Sequence, residues 1–220
     1  MIAKSSGKTG DLLYGLPCAI AKGCDSLVLF RGEWGDPREV RDRLQPLIPD
    51  WKICCEPNRW PPECVDLDAF RKCPRLFQQH FTLSHAEMTG VDPAVYDKPW
   101  IEVDPYIAHH IIVSRSFNTR GSFPYERMCR DLGGDVGFVG TRREWDDFCR
   151  LFPACRAAFV DALNLRELAQ VIAGADTFIG NPSAPLAIAE AMKHPRIYIE
   201  RNTAADQIFA DRGLSIGIAV

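Results

Sequence analysis

The sequence contains no hydrophobic run long enough to cross a membrane. A membrane-spanning helix needs about 18 or more consecutive apolar residues, and no stretch of the 220-residue chain approaches that length. Near the N-terminus, Lys4 and Lys8 stand among serine and glycine, without the apolar segment of a secretory signal. We therefore expect no transmembrane segment and a cytoplasmic protein.

A strong charge of one sign is also absent. The formal net charge is −3 and the isoelectric point is about 6.0, whereas binding to a nucleic-acid backbone requires clustered lysine and arginine. We therefore expect no nucleic-acid partner. The composition, with 46% hydrophobic and 25% charged residues, is that of an ordinary globular protein with a sizeable core.

The chain has nine cysteines but no Cys-x-x-Cys pair. That spacing is typical of structural zinc sites, so we predict no metal site and interpret the cysteines as free thiols, most of them buried. A site assembled from Cys64, Cys73, His80 and His85 is an alternative, although these spacings fit no structural zinc pattern.

The segment Gly7-Lys8-Thr9 lacks the first glycine of a phosphate-binding P-loop. That motif has a glycine five residues before the Gly-Lys pair, and Ile2 occupies the position here. We therefore reject a P-loop. Asp11 then stands at the start of a predicted helix, where it is either an N-terminal cap or a base that takes a proton from an acceptor hydroxyl.

From residue 111 onward, short β-branched runs alternate with amphipathic segments about ten residues long. Such apolar strands belong in a parallel sheet covered by helices on both faces. We predict a Rossmann-like half over 111–200. Its predicted strands are 111–113, 136–139, 158–160, 177–179 and 197–199, and its predicted helices are 125–132, 142–151, 165–173 and 184–192.

The first half is less regular, because seven prolines interrupt a region of weak periodicity between residues 57 and 105. We place the link between the halves at 98–109, which divides the chain into domains 1–105 and 106–220. The predicted strands of the first half are 2–3, 27–30 and 51–55, and its predicted helices are 11–21, 40–47 and 74–81.

Polar residues follow the first two strands of the second half, at the edge where parallel sheets bind ligands. Arg115 and Arg120 follow the first strand, where they either neutralise a diphosphate or are solvated loop residues. Thr141 and Glu144 follow the next strand with the spacing of a capping box, which needs no binding function.

The turn after strand 177–179 carries the most specific local signal. Gly180 permits a close backbone approach, and Asn181 and Ser183 are polar. The amides at the start of the following helix offer a site for an anion. This turn is predicted to bind a phosphate group, with a simple helix cap as the alternative.

These segments together resemble the heptosyltransferase-like glycosyltransferases, family nine, of the GT-B fold. The resemblance rests on SSGKTGDLLYGLP at 5–17, on 138–140 with Glu144, and above all on LRELAQVIAGADTFIGNPS at 165–183. It covers about residues 5–17 and 111–200 and leaves the middle third unmatched. The fold class that it implies is α/β, with two Rossmann-like domains facing a cleft and the N-terminal, acceptor-side domain reduced.

The resemblance implies that Asp11 is the catalytic base on the acceptor hydroxyl. It further implies a nucleotide diphosphate sugar as co-substrate, no cofactor and no metal ion, because helix amides and basic side chains stabilise the leaving diphosphate. Our complete set of predicted substrate-binding residues is Gly10, Ser114, Arg115, Asn118, Arg120, Gly140, Thr141, Glu144, Gly180, Asn181, Ser183 and Ala184.

The chain departs from the family pattern in several places. Asn181 replaces the usual aspartate, Ala184 replaces a glycine, and 186–188 lack a frequent histidine. The chain is also shorter than typical members. The resemblance implies an inverting, metal-independent glycosyltransferase whose acceptor is an unidentified hydroxyl, for example that of a glycan. The alternatives are a non-catalytic nucleotide-sugar-binding protein and a GT-B-like nucleotide-sugar epimerase.

Overall fold

The structure is a computed structural model, and it describes residues 1–30, 36–55, 63–76, 78–117 and 123–199. Two parallel sheets with helices packed against them form an α/β fold, as predicted. None of the helices in the described ranges has the length and apolar character that a membrane span requires. All nine cysteines are free thiols, and five of them are buried.

The elements of the first half are β1 (Ile2–Ser5), α1 (Thr9–Ala21), β2 (Ser26–Leu29), α2 (Pro37–Leu44), β3 (Lys52–Cys55), β4 (Cys64–Asp66) and α3 (Phe81–Thr89). The first sheet has the strand order β3-β2-β1-β4, with all described pairs parallel. Asp36 caps α2 by accepting the Arg38 amide at 2.8 Å, and Pro37 supplies a fixed φ in its first turn.

The helix predicted over 74–81 is wrong. The described residues of 74–80 form turns, and α3 begins only at Phe81. His80 caps α3, since its Nδ1 accepts the Thr82 amide at 3.2 Å, and Gly90 ends the helix at φ 63°. Histidine is an uncommon cap, so the sequence does not mark this helix start. Strand β4 was also not predicted, because its three residues contain no apolar run.

The elements of the second half are β5 (Ile111–Ser114), α4 (Tyr125–Leu132), β6 (Val136–Phe138), α5 (Arg142–Leu151), β7 (Ala158–Phe159), α6 (Leu165–Ala173), β8 (Thr177–Gly180), α7 (Ala184–Ala191) and β9 (Ile197–Ile199). Every strand and helix predicted for this half is confirmed, with small differences at the ends. The second sheet has the order β7-β6-β5-β8-β9, which reverses between β5 and β8 as in doubly wound nucleotide-binding folds.

One hydrophobic core extends across both sheets. Leu12 and Leu16 of α1 belong to the same buried cluster as Ala187 and Ile188 of α7. The small side chains of α7 let the two helices approach closely. The two sheets therefore share buried apolar surface, and the predicted division into two domains at residue 105 stays a prediction.

Pro17 lies inside α1 and removes one backbone donor from the helix. The carbonyl that loses its partner is that of Leu13, four residues earlier. The indole Nε1 of Trp100 donates to this carbonyl at 3.0 Å, and the Trp100 amide donates to the Ala191 carbonyl at 3.0 Å. Trp100 therefore joins α1 to the end of α7.

We expect Trp100→Phe to lower the free energy of unfolding by about 1–3 kcal/mol, because the Leu13 carbonyl is left without its donor. In a Pro17→Ala background the helix itself supplies an N–H at residue 17. Trp100→Phe should therefore lower the free energy of unfolding by less in that background. Urea denaturation of the four proteins of this double-mutant cycle measures the difference. An equal loss of unfolding free energy in both backgrounds would contradict the role of Trp100 as the donor to the Leu13 carbonyl.

Candidate active-site cleft

The cleft lies where the strand order reverses in both sheets. Ligands of open parallel sheets bind beyond the carboxyl ends of the strands at this point. Helix α1 follows β1 in the first sheet, and α7 follows β8 in the second. The first turns of these helices touch, since a Cβ at Gly10 would lie 3.5 Å from the Ala184 amide nitrogen.

Two adjoining cavities occupy this cleft. The first, of about 420 Å³, is lined by the starts of α1, α3 and α7 and includes Asp11 and Tyr14. The second, of about 470 Å³, extends along the carboxyl ends of β5, β6 and β7. Both are of the size that small-molecule ligands occupy. The residues that line both cavities are Thr9, Ser116, Ser183 and Ala184.

Helices α1 and α7 both point their N-termini at the cleft, and neither of their N-cap residues, Lys8 and Ser183, makes a side-chain cap hydrogen bond. At the Ser183 cap position of α7, the hydroxyl donates instead to the Asn181 carbonyl at 2.9 Å. Unpaired amides and the helix dipole favour an anion at such an end. Lys8 adds a positive charge in the first cavity, and Arg43 and Arg142 do so in the second.

The loop between β1 and α1 is already occupied by an internal carboxylate. Asp68 accepts the Ser6 amide at 2.6 Å, and the Ser5 hydroxyl accepts the Gly7 amide at 3.2 Å. These two amides are the ones that a P-loop would turn toward a phosphate. Their internal partners agree with the rejection of a P-loop at Gly7-Lys8-Thr9.

Asp11 lies in the first turn of α1, borders the first cavity and is largely buried. Arg71 donates to its Oδ2 at 2.5 Å, and the Lys8 Nζ lies 3.8 Å from the same oxygen. Burial raises the pKa of the Asp11 carboxyl, while the charges of Lys8 and Arg71 act in the opposite direction. A carboxylate with a raised pKa is suited to accept a proton near neutral pH.

A buried polar cluster lies behind the first cavity and joins the two halves of the chain. The Tyr14 hydroxyl of α1 donates to the carboxylate of Glu190 on α7, which is 4% exposed. His80 Nε2 lies 3.4 Å from Glu190 Oε1. Since Nδ1 of His80 accepts the Thr82 amide, the neutral ring carries its proton on Nε2, facing Glu190.

His85 packs beneath Asp11 and Arg71 as a neutral ring. It is 1% exposed and stacks on Phe70 with ring centroids 4.2 Å apart. Burial, together with the nearby charge of Arg71, lowers the pKa of His85 to about 3. The alternative metal site of Cys64, Cys73, His80 and His85 is not formed, since no three potential ligands converge in the described part of the chain.

Asn181 connects the turn after β8 to the loop after β5. Its side chain is fully buried, its Oδ1 accepts the Ser116 amide at 3.0 Å, and its Nδ2 donates to the Ser116 carbonyl at 3.1 Å. An aspartate could make only the first of these bonds. Asparagine at this position therefore fits the local hydrogen bonding of this chain.

Thr141 and Glu144 form the capping box at the start of α5, which was the alternative weighed for these residues. Arg115 lines neither cavity and pairs with Asp147 at 3.3 Å. Asn118 and Arg120 lie outside the described residues. The predicted binding residues that line either cavity are Gly10, Ser114, Gly140, Thr141, Glu144, Ser183 and Ala184, whereas Gly180 and Asn181 line neither.

Two parts of the site were not predicted from the sequence. One is the segment after β7, from Val160 to Leu165, which lines the second cavity and includes the 76% exposed Leu163. The rule that ligands bind beyond strand ends would have indicated it. The other is the pair of Arg71 and His80, which come from the proline-rich region that carries no periodic signal.

Two parallel sheets that face each other across a cleft define an α/β protein of the GT-B-like fold class. No model of a protein family matches the chain. No curated protein matches it significantly either.

Among solved structures, the chain is similar to the iron-containing dodecameric glycosyltransferase TibC from enterotoxigenic E. coli H10407. The TM-score is 0.55 at 17% identity, over 93% of this chain and 60% of TibC. The structure of dodecameric iron-containing heptosyltransferase TibC with ADP-D-beta-D-heptose has a TM-score of 0.49 at 16% identity, over 93% of this chain and 61% of that one. The chain thus spans about three fifths of the length of these structures, and the likeness is one of fold.

We expect Asn181→Asp to destabilise the protein by about 1–3 kcal/mol at neutral pH, because a buried carboxylate then faces the Ser116 carbonyl. Protonation restores a donor, so the folded state raises the pKa of the new carboxyl. The free energy of unfolding of the variant is therefore closest to that of the wild type at acid pH, and it falls as the pH rises. Urea denaturation at acid and neutral pH tests this, and a pH-independent loss would contradict it.

Proposed function

We propose that the protein is a glycosyltransferase that moves a sugar from a nucleotide diphosphate sugar to a hydroxyl acceptor. The observation that carries the proposal is the convergence of two uncapped helix N-termini, from two different parallel sheets, on one cleft. A diphosphate at this point receives amides and dipoles from both sides. Lys8, Arg43 and Arg142 neutralise its charge.

The second cavity supports a site for the nucleoside. Its apolar surface comes from Val160, Leu163 and Leu168, and Thr141 and Asp161 add polar groups that suit ribose hydroxyls and a base. Donor sites combine an apolar surface with a few placed polar groups in this way. The first cavity then takes the transferred sugar and the acceptor, next to Asp11.

In the proposed reaction, Asp11 takes the proton of the acceptor hydroxyl while that oxygen attacks the anomeric carbon. The bond between the anomeric carbon and the diphosphate oxygen breaks, and its electron pair leaves with the nucleoside diphosphate. Attack opposite the leaving group inverts the anomeric centre. The amides of α1 and α7 stabilise the developing negative charge, so the step needs no metal ion.

The fold likeness to the glycosyltransferase TibC supports this proposal at the level of the fold. The two alternatives from the sequence use the same cleft and differ in what happens after binding. A non-catalytic protein binds the nucleotide sugar without turnover, and an epimerase releases the nucleoside diphosphate without an acceptor.

Calorimetry with a panel of nucleoside diphosphates and their sugars tests binding. We expect at least one nucleoside diphosphate to bind and the matching nucleoside to bind more weakly, because it lacks the charge that the helix ends receive. Arg142→Gln should weaken binding about tenfold. The control is Arg127→Gln, because Arg127 is an exposed residue of α4 that pairs with Asp131, and this variant should bind as the wild type does. If no nucleotide binds at millimolar concentration, the proposal fails.

Asp11→Asn tests the chemical step. The amide has the shape of the carboxylate but does not take a proton, so we expect turnover to fall by about 100- to 10,000-fold with donor affinity almost unchanged. Asp42→Asn, an exposed residue paired with Arg41, serves as the control and should keep full activity. Turnover of the Asp11 variant close to wild type would exclude Asp11 as the base.

A further inference from the structure

We propose that Arg71 is a positioning residue for Asp11: its guanidinium holds Oδ2 of the carboxylate and leaves Oδ1 for the proton of the acceptor hydroxyl. This inference rests on the proposed function. Arg71 follows β4 in the region without sequence periodicity, and it enters the site through tertiary structure alone.

The contacts of the Asp11 carboxylate are one-sided. Arg71 Nη2 donates to Oδ2 at 2.5 Å, and Lys8 Nζ lies 3.8 Å from the same oxygen. Within the described ranges, each hydrogen bond and ion pair of this carboxylate uses Oδ2. Asp11 borders the first cavity, so the second oxygen is the one available to a substrate.

The guanidinium of Arg71 is itself held by further contacts. It lies over the Phe70 ring, 4.9 Å from the centroid, and its Nε is 4.0 Å from Asp68 Oδ1. Asp68 is fixed in turn by the Ser6 amide at 2.6 Å. A cation held by a ring and two carboxylates keeps one orientation, and a planar guanidinium transmits that orientation to Asp11.

The ionisation state of Asp11 follows from the groups that face it. Lys8, Arg71 and Asp68 are charged, and His85 beneath them is neutral because burial lowers its pKa to about 3. Burial raises the pKa of Asp11, and the two cations oppose that rise. Lys8 and Arg71 therefore favour the ionised form of this carboxyl, while burial keeps its pKa above the ordinary value, which suits a group that accepts a proton.

The first test is a carbon-13 NMR titration of the full chain labelled at aspartate, with the Asp11 signal assigned through Asp11→Asn. In Arg71→Gln we expect the pKa of Asp11 to rise, because a neighbouring cation is lost. Arg71→Lys keeps the charge and should stay closer to wild type. Arg75→Gln, which breaks an exposed ion pair with Glu87 in the same segment, should change nothing. An unchanged Asp11 pKa in Arg71→Gln overturns the proposal.

The second test uses a donor and acceptor that the wild type turns over. We expect Arg71→Gln to lower kcat about a hundredfold with donor KM unchanged, and to move the acid limb of the pH profile upward. Arg71→Lys should restore the acid limb but only part of kcat, because lysine lacks the planar fork.

Equal kcat in wild type, Arg71→Gln and Arg71→Lys overturns the positioning role. If Arg71→Gln does not fold, the Arg71→Lys variant decides, and wild-type kcat in that variant counts against the proposal. If the wild type turns over no donor, the proposed function fails, whereas the titration still tests the placement of Arg71.

Discussion

The contact between α1 and α7 is the constraint on which the rest of the site depends. These helices follow central strands of the two different sheets, and their first turns touch where Gly10 meets the backbone of Ala184. A methyl group at residue 10 would already be in van der Waals contact, so a larger side chain would push the helices apart. Close contact brings both N-termini to the same cleft, and the amides of both then serve one ligand.

Behind this contact the helices are joined by a polar group rather than by apolar packing alone. Glu190 of α7 accepts from Tyr14 of α1 and faces the Nε2 proton of His80. Burying a carboxylate costs free energy that nonpolar packing would not. The hydrogen bond from Tyr14 is directional, however, and fixes how α7 is rotated against α1. The gain is a defined position of Tyr14 in the first cavity.

The sequence predicts the second sheet and most of the first, but it misses β4 and α3 in the region between β3 and β5, for a physical reason. In the second half the buried strands are largely apolar, and β5 is a run of β-branched residues, while caps such as Thr141 with Glu144 mark the helix starts. In the region between β3 and β5, helix α3 starts at a histidine cap and β4 has three residues without an apolar run. Pairing with β1 creates that strand, and no local pattern encodes such pairing.

The residues of the candidate site likewise divide into those that the sequence indicates and those that only the folded structure brings together. Gly10, Asp11 and Ser183 lie at strand-to-helix turns, where a sequence pattern and a general rule about parallel sheets indicate a ligand. The sequence also indicated Asn181 and Arg115, but it did not show that their side chains are used within the protein, by Ser116 and Asp147. Arg71 and His80 were missed, because only the folding of the middle region brings them to the cleft.

The carboxylates and amides of the chain itself decide where an anionic ligand fits. At the loop after β1, Asp68 takes the Ser6 amide, so the Gly-Lys-Thr segment has no free cradle for phosphate. One turn further along, neither Lys8 at the start of α1 nor Ser183 at the start of α7 makes a side-chain cap hydrogen bond. The helix amides on the two sides of the contact are therefore where an anionic ligand fits best. The proposed diphosphate would lie there between the second cavity and Asp11, which is the order that the proposed sugar transfer requires.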